Sequence, residues 1–145
     1  MGDKKPNRLF SYIVGAGATV SGSLSSALGR LMGADVSFSQ ILMGLIDAKG
    51  MRDVEVYQRA NIDRRLFSKI RKRGYRPSKP TVLALAIAME LTIDETVHLL
   101  TQAGYSLSPI LAFDVIVAHE IRKGRYDVHG INEVLFRYDQ PLLGG

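Results

Sequence analysis

The segment that most restricts the fold is VLALAIAM at residues 82–89, which contains eight consecutive apolar residues. Ser78 stands just before this run, and its hydroxyl suits an N-cap because it can accept a hydrogen bond from a backbone N–H of the first turn. A helix that is apolar nearly all round has to be buried on every side. The chain is therefore expected to fold around one central buried helix.

Helix start and stop signals continue on the N-terminal side of this run. Ser37 with Gln40 forms a capping box, and Gly50 can end the helix that follows. The apolar residues of that helix keep the i, i+3, i+4 spacing of one face, and they are Phe38, Ile41, Leu42, Leu45 and Ile46. A short second helix is expected over about 53–60, with Asn61 as its left-handed stop.

Similar signals predict three helices on the C-terminal side. A capping box at 92–95 begins one helix. Another is expected to start with Pro109 at its first position and to end near Lys123. The last, from about Asp127, has one apolar face made of Ile131, Val134, Leu135 and Tyr138. No segment has the pattern of a strand, so we predict an all-α fold of about five helices followed by two C-terminal helices.

The positive charge of the chain is concentrated at residues 59–80, RANIDRRLFSKIRKRGYRPSKP. This segment holds nine Lys or Arg and one acid, Asp63, so it contributes +8 to a net charge of +5 and leaves the rest of the chain at −3. Nine cations with one acid repel one another, whereas a face that is only solvated usually mixes both signs. The segment is therefore predicted to bind a polyanion.

A third helix is predicted within this segment, from Asp63 as N-cap to Arg73. At 100° per residue, Leu66, Phe67 and Ile70 fall on one face and should pack inward. The opposite face holds Arg64, Arg65, Ser68, Lys69 and Lys72. This pattern is the geometry of a helix-turn-helix: a short helix, a tight connection and a second helix, here with a basic outer face. The second helix of such a motif fits the major groove.

Over residues 37–104 the chain resembles the Cro/cI-type (XRE) helix-turn-helix family. The resemblance is carried by VYQRANIDRRLFSKIRK at 56–72 and by PSKPTVLALAIAMELTIDETVHLL at 77–100. The matching positions are the turn Asn61-Ile62-Asp63, the buried Phe67 and Ile70, the helix entry Pro77-Ser78, and the start Thr92-Ile93-Asp94-Glu95. The tail from Ser106 onward is similar to a bacterial variant in which this unit is carried behind other domains, such as macro domains.

The resemblance implies a bacterial, cytoplasmic transcription regulator that binds double-stranded DNA. The residues that it places toward the base edges are Arg64, Arg65, Ser68 and Lys69. Those that it implies as phosphate contacts are Arg59, Arg71, Lys72, Arg73, Arg76 and Lys79. The resemblance leaves two further partners open: a second copy of the chain, in a homodimer, and a protein bound through the C-terminal helices. No membrane partner is expected.

Two residues depart from the family pattern. Asp53 stands where the family often has a Gln that touches phosphate, and Tyr57 replaces the usual small residue in the middle of the second helix. A carboxylate beside a phosphate is repulsive unless it caps the helix. An alternative function therefore stays open, in which a degenerate helix-turn-helix acts as an adaptor that docks an effector domain.

Residues 1–35 are rich in Gly, Ala and Ser and are interpreted as a flexible N-terminal segment or linker. A secretory signal and a weak membrane-associated helix are the alternatives. The IVGAG motif within it does not continue as a dinucleotide-binding loop, because Val20 occupies the third glycine position. The helix-turn-helix domain is placed at 36–104, and a C-terminal helical extension packed on it at 105–145.

No catalytic, cofactor or metal site is predicted. The chain has no cysteine, and His98, His119 and His129 lie far apart without partners at ligand spacing. Asp114 is expected on an exposed face. The aromatic residues recur at helical spacing and are assigned to the core: Phe38, Phe67, Phe113, Phe136 and Tyr138. Without a nucleophile–base pair, the chain is not expected to be an enzyme.

Overall fold

The structure, a computed structural model, describes residues 37–145, and the expected N-terminal linker lies outside them. Within this range the chain forms seven α-helices and no strand, which confirms the all-α prediction there. The helices are α1 Phe38–Ala48, α2 Asp53–Arg59, α3 Arg64–Ile70, α4 Lys79–Ala88, α5 Ile93–Gln102, α6 Ala112–Arg122 and α7 Val128–Arg137. None of them is long and apolar enough to span a membrane.

Helix α4 lies at the centre, as its composition predicts. Every residue from Thr81 to Met89 is buried. Helices α2, α5 and α7 pack directly on α4, while α1 and α6 pack on α5, and α6 also packs on α7. The other helices therefore surround α4 and share one continuous hydrophobic core with it.

The predicted caps form because each depends on only three or four residues. Ser37 with Gln40, and Thr92 with Glu95, make both hydrogen bonds of a capping box. Asn61 takes the left-handed conformation at φ 57° that turns the chain from α2 into α3. These local signals explain why most helix starts agree with prediction.

Helix α3 is shorter than predicted, because it ends at Ile70 and not at Arg73. Ile70 is fully buried, and beyond it Lys72 N donates to Lys69 O at 3.0 Å, a tighter i→i−3 bond. The cations from Arg71 to Arg73 therefore lie in a turn that leads toward α4.

Helix α6 begins at Ala112, so the predicted start at Pro109 is wrong. The hydroxyl of Ser108 accepts hydrogen bonds from the backbone N–H groups of Ile110 and Leu111, at 3.1 and 3.2 Å. This local turn competes with the helix and delays its first residue.

Two of the five aromatic residues assigned to the core lie on the surface. Phe38, Phe67 and Phe113 are buried, but Phe136 is 74% exposed and Tyr138 is 64% exposed. Ile131 and Leu135, both fully buried, hold α7 against the core in an orientation that points Phe136 outward. Tyr138 lies at the C-cap, where the helix no longer sets its direction.

Residues 143–145, here called the C-terminal strap, return from α7 to the core. Leu143 is 2% exposed. Its N–H donates to Asn132 Oδ1 at 2.7 Å, and its carbonyl accepts from Asn132 Nδ2 at 3.1 Å. One side chain of α7 therefore satisfies both backbone groups of Leu143.

The strap then joins α4 to the turn before α3. The hydroxyl of Thr81 donates to Gly144 O at 2.9 Å. The N–H of Gly145 donates to Asn61 O at 3.3 Å, and Gly145 lies against the side chain of Leu66. The strap thus contacts both the turn and the first part of α3.

Candidate nucleic-acid interface

Helix α3 is held by a cap at its start and by apolar side chains beneath it. Asp63 Oδ1 accepts a hydrogen bond from Leu66 N at 2.7 Å. Phe67 and Ile70 are buried, and Leu66 is partly buried against the same core. The inward face of α3 is therefore the one that helical periodicity predicts.

The opposite side of α3 is open to solvent and positively charged. Its members, here called the α3 outer face, are Arg64, Arg65, Ser68, Lys69 and Lys72, all of them exposed. Together they line a shallow, open depression of about 490 Å³. Within residues 37–145 their side chains form no ion pair or hydrogen bond. All four predicted base-reading residues thus lie on one surface, and no other side chain within residues 37–145 binds their polar groups.

Two of the predicted phosphate contacts form ion pairs with partly exposed carboxylates. Arg59 pairs with Glu55 at 3.0 Å and approaches Glu90 at 3.7 Å. Arg71 pairs with Asp53 at 3.1 Å. Both guanidinium groups remain about half exposed, so these pairs hold the side chains in place without removing them from solvent.

The guanidinium of Arg76 is held by the loop that follows α5. Its Nε donates to Ala103 O at 2.7 Å, and one terminal nitrogen donates to Gly104 O at 3.2 Å. The group also lies 4.2 Å from the ring centroid of Tyr105, within cation–π range. Arg76 therefore joins two loops of the protein itself.

Lys79 forms an ion pair with a buried carboxylate. Asp114, expected on an exposed face, is only 1% exposed, and that expectation is wrong. Its Oδ2 accepts from Lys79 Nζ at 2.5 Å and from Ser108 N at 2.6 Å. A buried carboxylate needs such partners because burial without them is costly. Lys79 thus joins the start of α4 to α6.

The remaining predicted phosphate contacts are Lys72 and Arg73. Lys72 belongs to the α3 outer face. Arg73 is exposed in the turn after α3, and it makes an interaction of its own. Of the six predicted phosphate contacts, only Lys72 therefore has a side chain that forms no interaction within residues 37–145.

The two departures from the family pattern both contact the α3 region. Asp53 is the first residue of α2 and does not cap it; its carboxylate binds Arg71. Tyr57 packs on Phe67, with ring centroids 5.4 Å apart and planes tilted by 44°. Asp53 thus connects α2 to the turn after α3, and Tyr57 connects α2 to α3 itself.

One exposed cation near this surface lies outside the basic run. Arg52 precedes α2 as its N-cap residue, without a side-chain cap bond. Its neighbour Asp53 pairs with Arg71, which lies in the turn after α3. A single Arg in a mixed stretch gives no signal in the sequence, and only the Asp53–Arg71 pair connects this part of the chain to the end of α3.

The histidine and carboxylate residues of the described range do not form a metal site. Within the part of the chain that the structure describes, no three His, Asp or Glu side chains gather closely enough to hold a metal ion. Glu120 is buried but paired with Lys123 and Arg125, at 3.5 and 3.1 Å.

Comparison of the chain with protein-family models, with curated proteins and with solved structures finds no match.

Proposed function

We propose that this protein binds double-stranded DNA in the manner of a helix-turn-helix protein, with α3 in the major groove, and that it regulates transcription in a bacterium. The observation that carries the proposal is the α3 outer face, with four cations and one hydroxyl around an open depression and with no side-chain partner among residues 37–145. Like charges held this close repel, and a polyanion relieves that repulsion.

The residues of this face are suited to different parts of the duplex. An Arg can pair with O6 and N7 of guanine, which contributes about 1–3 kcal/mol of discrimination against the wrong base. Ser68 can bind base edges or phosphate. Lys72 follows α3, where phosphates would flank the groove. The pair of Asp53 with Arg71 connects the start of α2, next to Arg52, to the same end of α3. We therefore assign base reading to Arg64, Arg65, Ser68 and Lys69, and phosphate contact to Lys72 and Arg52.

The proposal is tested by titrating fluorescent duplex DNA with the protein at several salt concentrations. With the two phosphate contacts assigned above, affinity should fall about tenfold between about 50 and about 200 mM salt. Lys69→Glu and Arg65→Glu should each abolish binding at the higher salt. Arg122→Glu is the matched control, because it makes the same charge change on α6, and it should leave affinity nearly unchanged.

An acidic protein partner is the second candidate, and one observation favours it. Four of the basic side chains bind groups of the protein itself, and they are Arg59, Arg71, Arg76 and Lys79. The positive patch that remains is compact, and few cations lie beside it to contact the phosphates of a long duplex. If the native protein fails to bind duplex DNA at low salt and micromolar concentration, the adaptor function becomes the better explanation.

A further inference from the structure

Helix α7 has an outward face that is exposed to solvent. Phe136, 74% exposed, and Leu142, 48% exposed, line a shallow open groove of about 420 Å³. Glu133 and Arg137 border the same groove. An exposed aromatic residue in an apolar groove with a polar rim is typical of a protein-binding surface.

The two charged residues of this face are well placed to meet. Glu133 lies four residues before Arg137, the favourable order for an ion pair along a helix. Within residues 37–145, however, neither side chain forms an ion pair. The face therefore offers one anion and one cation, one helical turn apart, beside the ring of Phe136.

This arrangement is self-complementary. In a two-fold contact, a residue i that meets residue j of the other copy is matched by j meeting i. Two antiparallel copies of α7 that cross between Glu133 and Arg137 would form the Glu–Arg contact twice. The two Phe136 rings would lie close to the axis, where aromatic residues contribute most to an interface.

We propose that the outward face of α7 is a self-association surface, through which two copies of the chain form an antiparallel dimer. A second copy fits better than a partner of one charge sign, because such a partner would attract one of the two charged residues and repel the other. The proposal does not depend on DNA binding, since none of its residues belongs to the α3 outer face.

Sedimentation equilibrium of the full chain across the micromolar range, without DNA, tests the proposal. The native protein is expected to dimerise. Phe136→Ala should raise the dissociation constant at least about tenfold. Glu133→Arg and Arg137→Glu should each do the same, because each places like charges opposite one another. Arg122→Glu on α6 serves as the control and should dimerise as the native chain does.

Mixing the two charge-reversed variants provides the decisive measurement. Each alone places like charges together, but in a one-to-one mixture both contacts become attractive again, and dimers should return. Circular dichroism of each variant verifies that it is folded. A native chain that stays monomeric, or variants that dimerise as tightly as the native chain, would overturn the proposal and leave this face to a different partner.

Discussion

The guanidinium of Arg76, a predicted phosphate contact, binds groups of the protein itself. It binds two carbonyl oxygens and lies over the Tyr105 ring, and the three residues involved are consecutive. Gly104 allows this approach: a Cβ there would come within 3.2 Å of the guanidinium. The contact therefore depends on a residue without a side chain.

We predict that Arg76→Ala lowers the free energy of unfolding by about 1–2 kcal/mol, through loss of the hydrogen bonds and the ring contact. Its effect on the salt dependence of DNA binding should be small. Lys72→Ala should do the reverse, reducing the slope of log affinity against log salt by about one unit with little change in stability. Urea denaturation and DNA titration measure the two quantities.

Arg76→Lys separates charge from geometry in this prediction. It keeps a cation for phosphate but loses the planar group that lies on Tyr105. If Arg76→Ala reduced the salt slope by a full unit and Arg76→Lys restored it, Arg76 would be a phosphate contact after all.

The pair of Lys79 and Asp114 is the most buried ion pair among the described residues, with 21% and 1% of the side chains exposed. Lys79→Met should cost about 2–3 kcal/mol of unfolding free energy, because it leaves a buried carboxylate without a counter-charge. The double variant Lys79→Met with Asp114→Leu should recover part of that loss. A double variant no more stable than Lys79→Met would show that the pair is not the cause.

At the level of the helix, α3 depends on few residues because it is short, with seven residues from Arg64 to Ile70. Isolated helices of this length are not stable in water, so its cap and its buried side chains maintain it. The cap, Asp63, is also the one acid within the basic run. It therefore favours the helix while it weakens the positive potential of the α3 outer face.

These two effects can be separated. Asp63→Asn keeps an oxygen that can accept from Leu66 N, so stability should change little. Removing the negative charge should raise affinity for duplex DNA several-fold at low salt. Asp63→Ala should cost about 1 kcal/mol of unfolding free energy. Equal DNA affinity for Asp63→Asn and the native chain, both folded, would contradict the proposed position of DNA on α3.

Sequence reasoning succeeded where the cause lies within a few residues. The capping boxes depend on residues three positions apart, and the left-handed turn depends on Asn61 itself. The burial of α4 follows from its eight consecutive apolar residues. It failed where distant parts of the chain meet. Arg76 and Ala103 are 27 residues apart, and Lys79 and Asp114 are 35 apart.

The orientation of α7 is a similar case. Its apolar pattern predicts a buried face, but Ile131 and Leu135 satisfy that need without Phe136. The sequence of the helix alone does not tell whether Phe136 is a third core residue or an exposed aromatic residue. Only the packing of α7 on α4 and α6 makes that choice.

Across the whole molecule, the C-terminal strap links α7, α4 and the turn before α3. Gly144 has φ 115°, and a Cβ there would lie 2.9 Å from Asn61 O. We predict that Gly144→Ala lowers the unfolding free energy by about 1–3 kcal/mol and weakens DNA binding, because strain and collision together detach the strap.

Gly124→Ala is the matched control for this change. Gly124 also has positive φ, at 76°, but a Cβ there would meet nothing within 4 Å. It should therefore incur only the backbone strain and leave DNA binding intact. If the two variants lost stability equally and bound DNA equally, the strap would have no role at α3.

The strap also affects when the proposed binding surface is completed during synthesis. Thr81 and Gly144 are 63 residues apart, so their hydrogen bond closes a long loop and forms late. On the ribosome, helices α1 to α5 emerge first and can begin to pack, since chains fold as they are made. The turn at Asn61 gains its last support only when residues 143–145 have emerged. The surface proposed to bind DNA would therefore be completed only after helices α1 to α7 have left the ribosome.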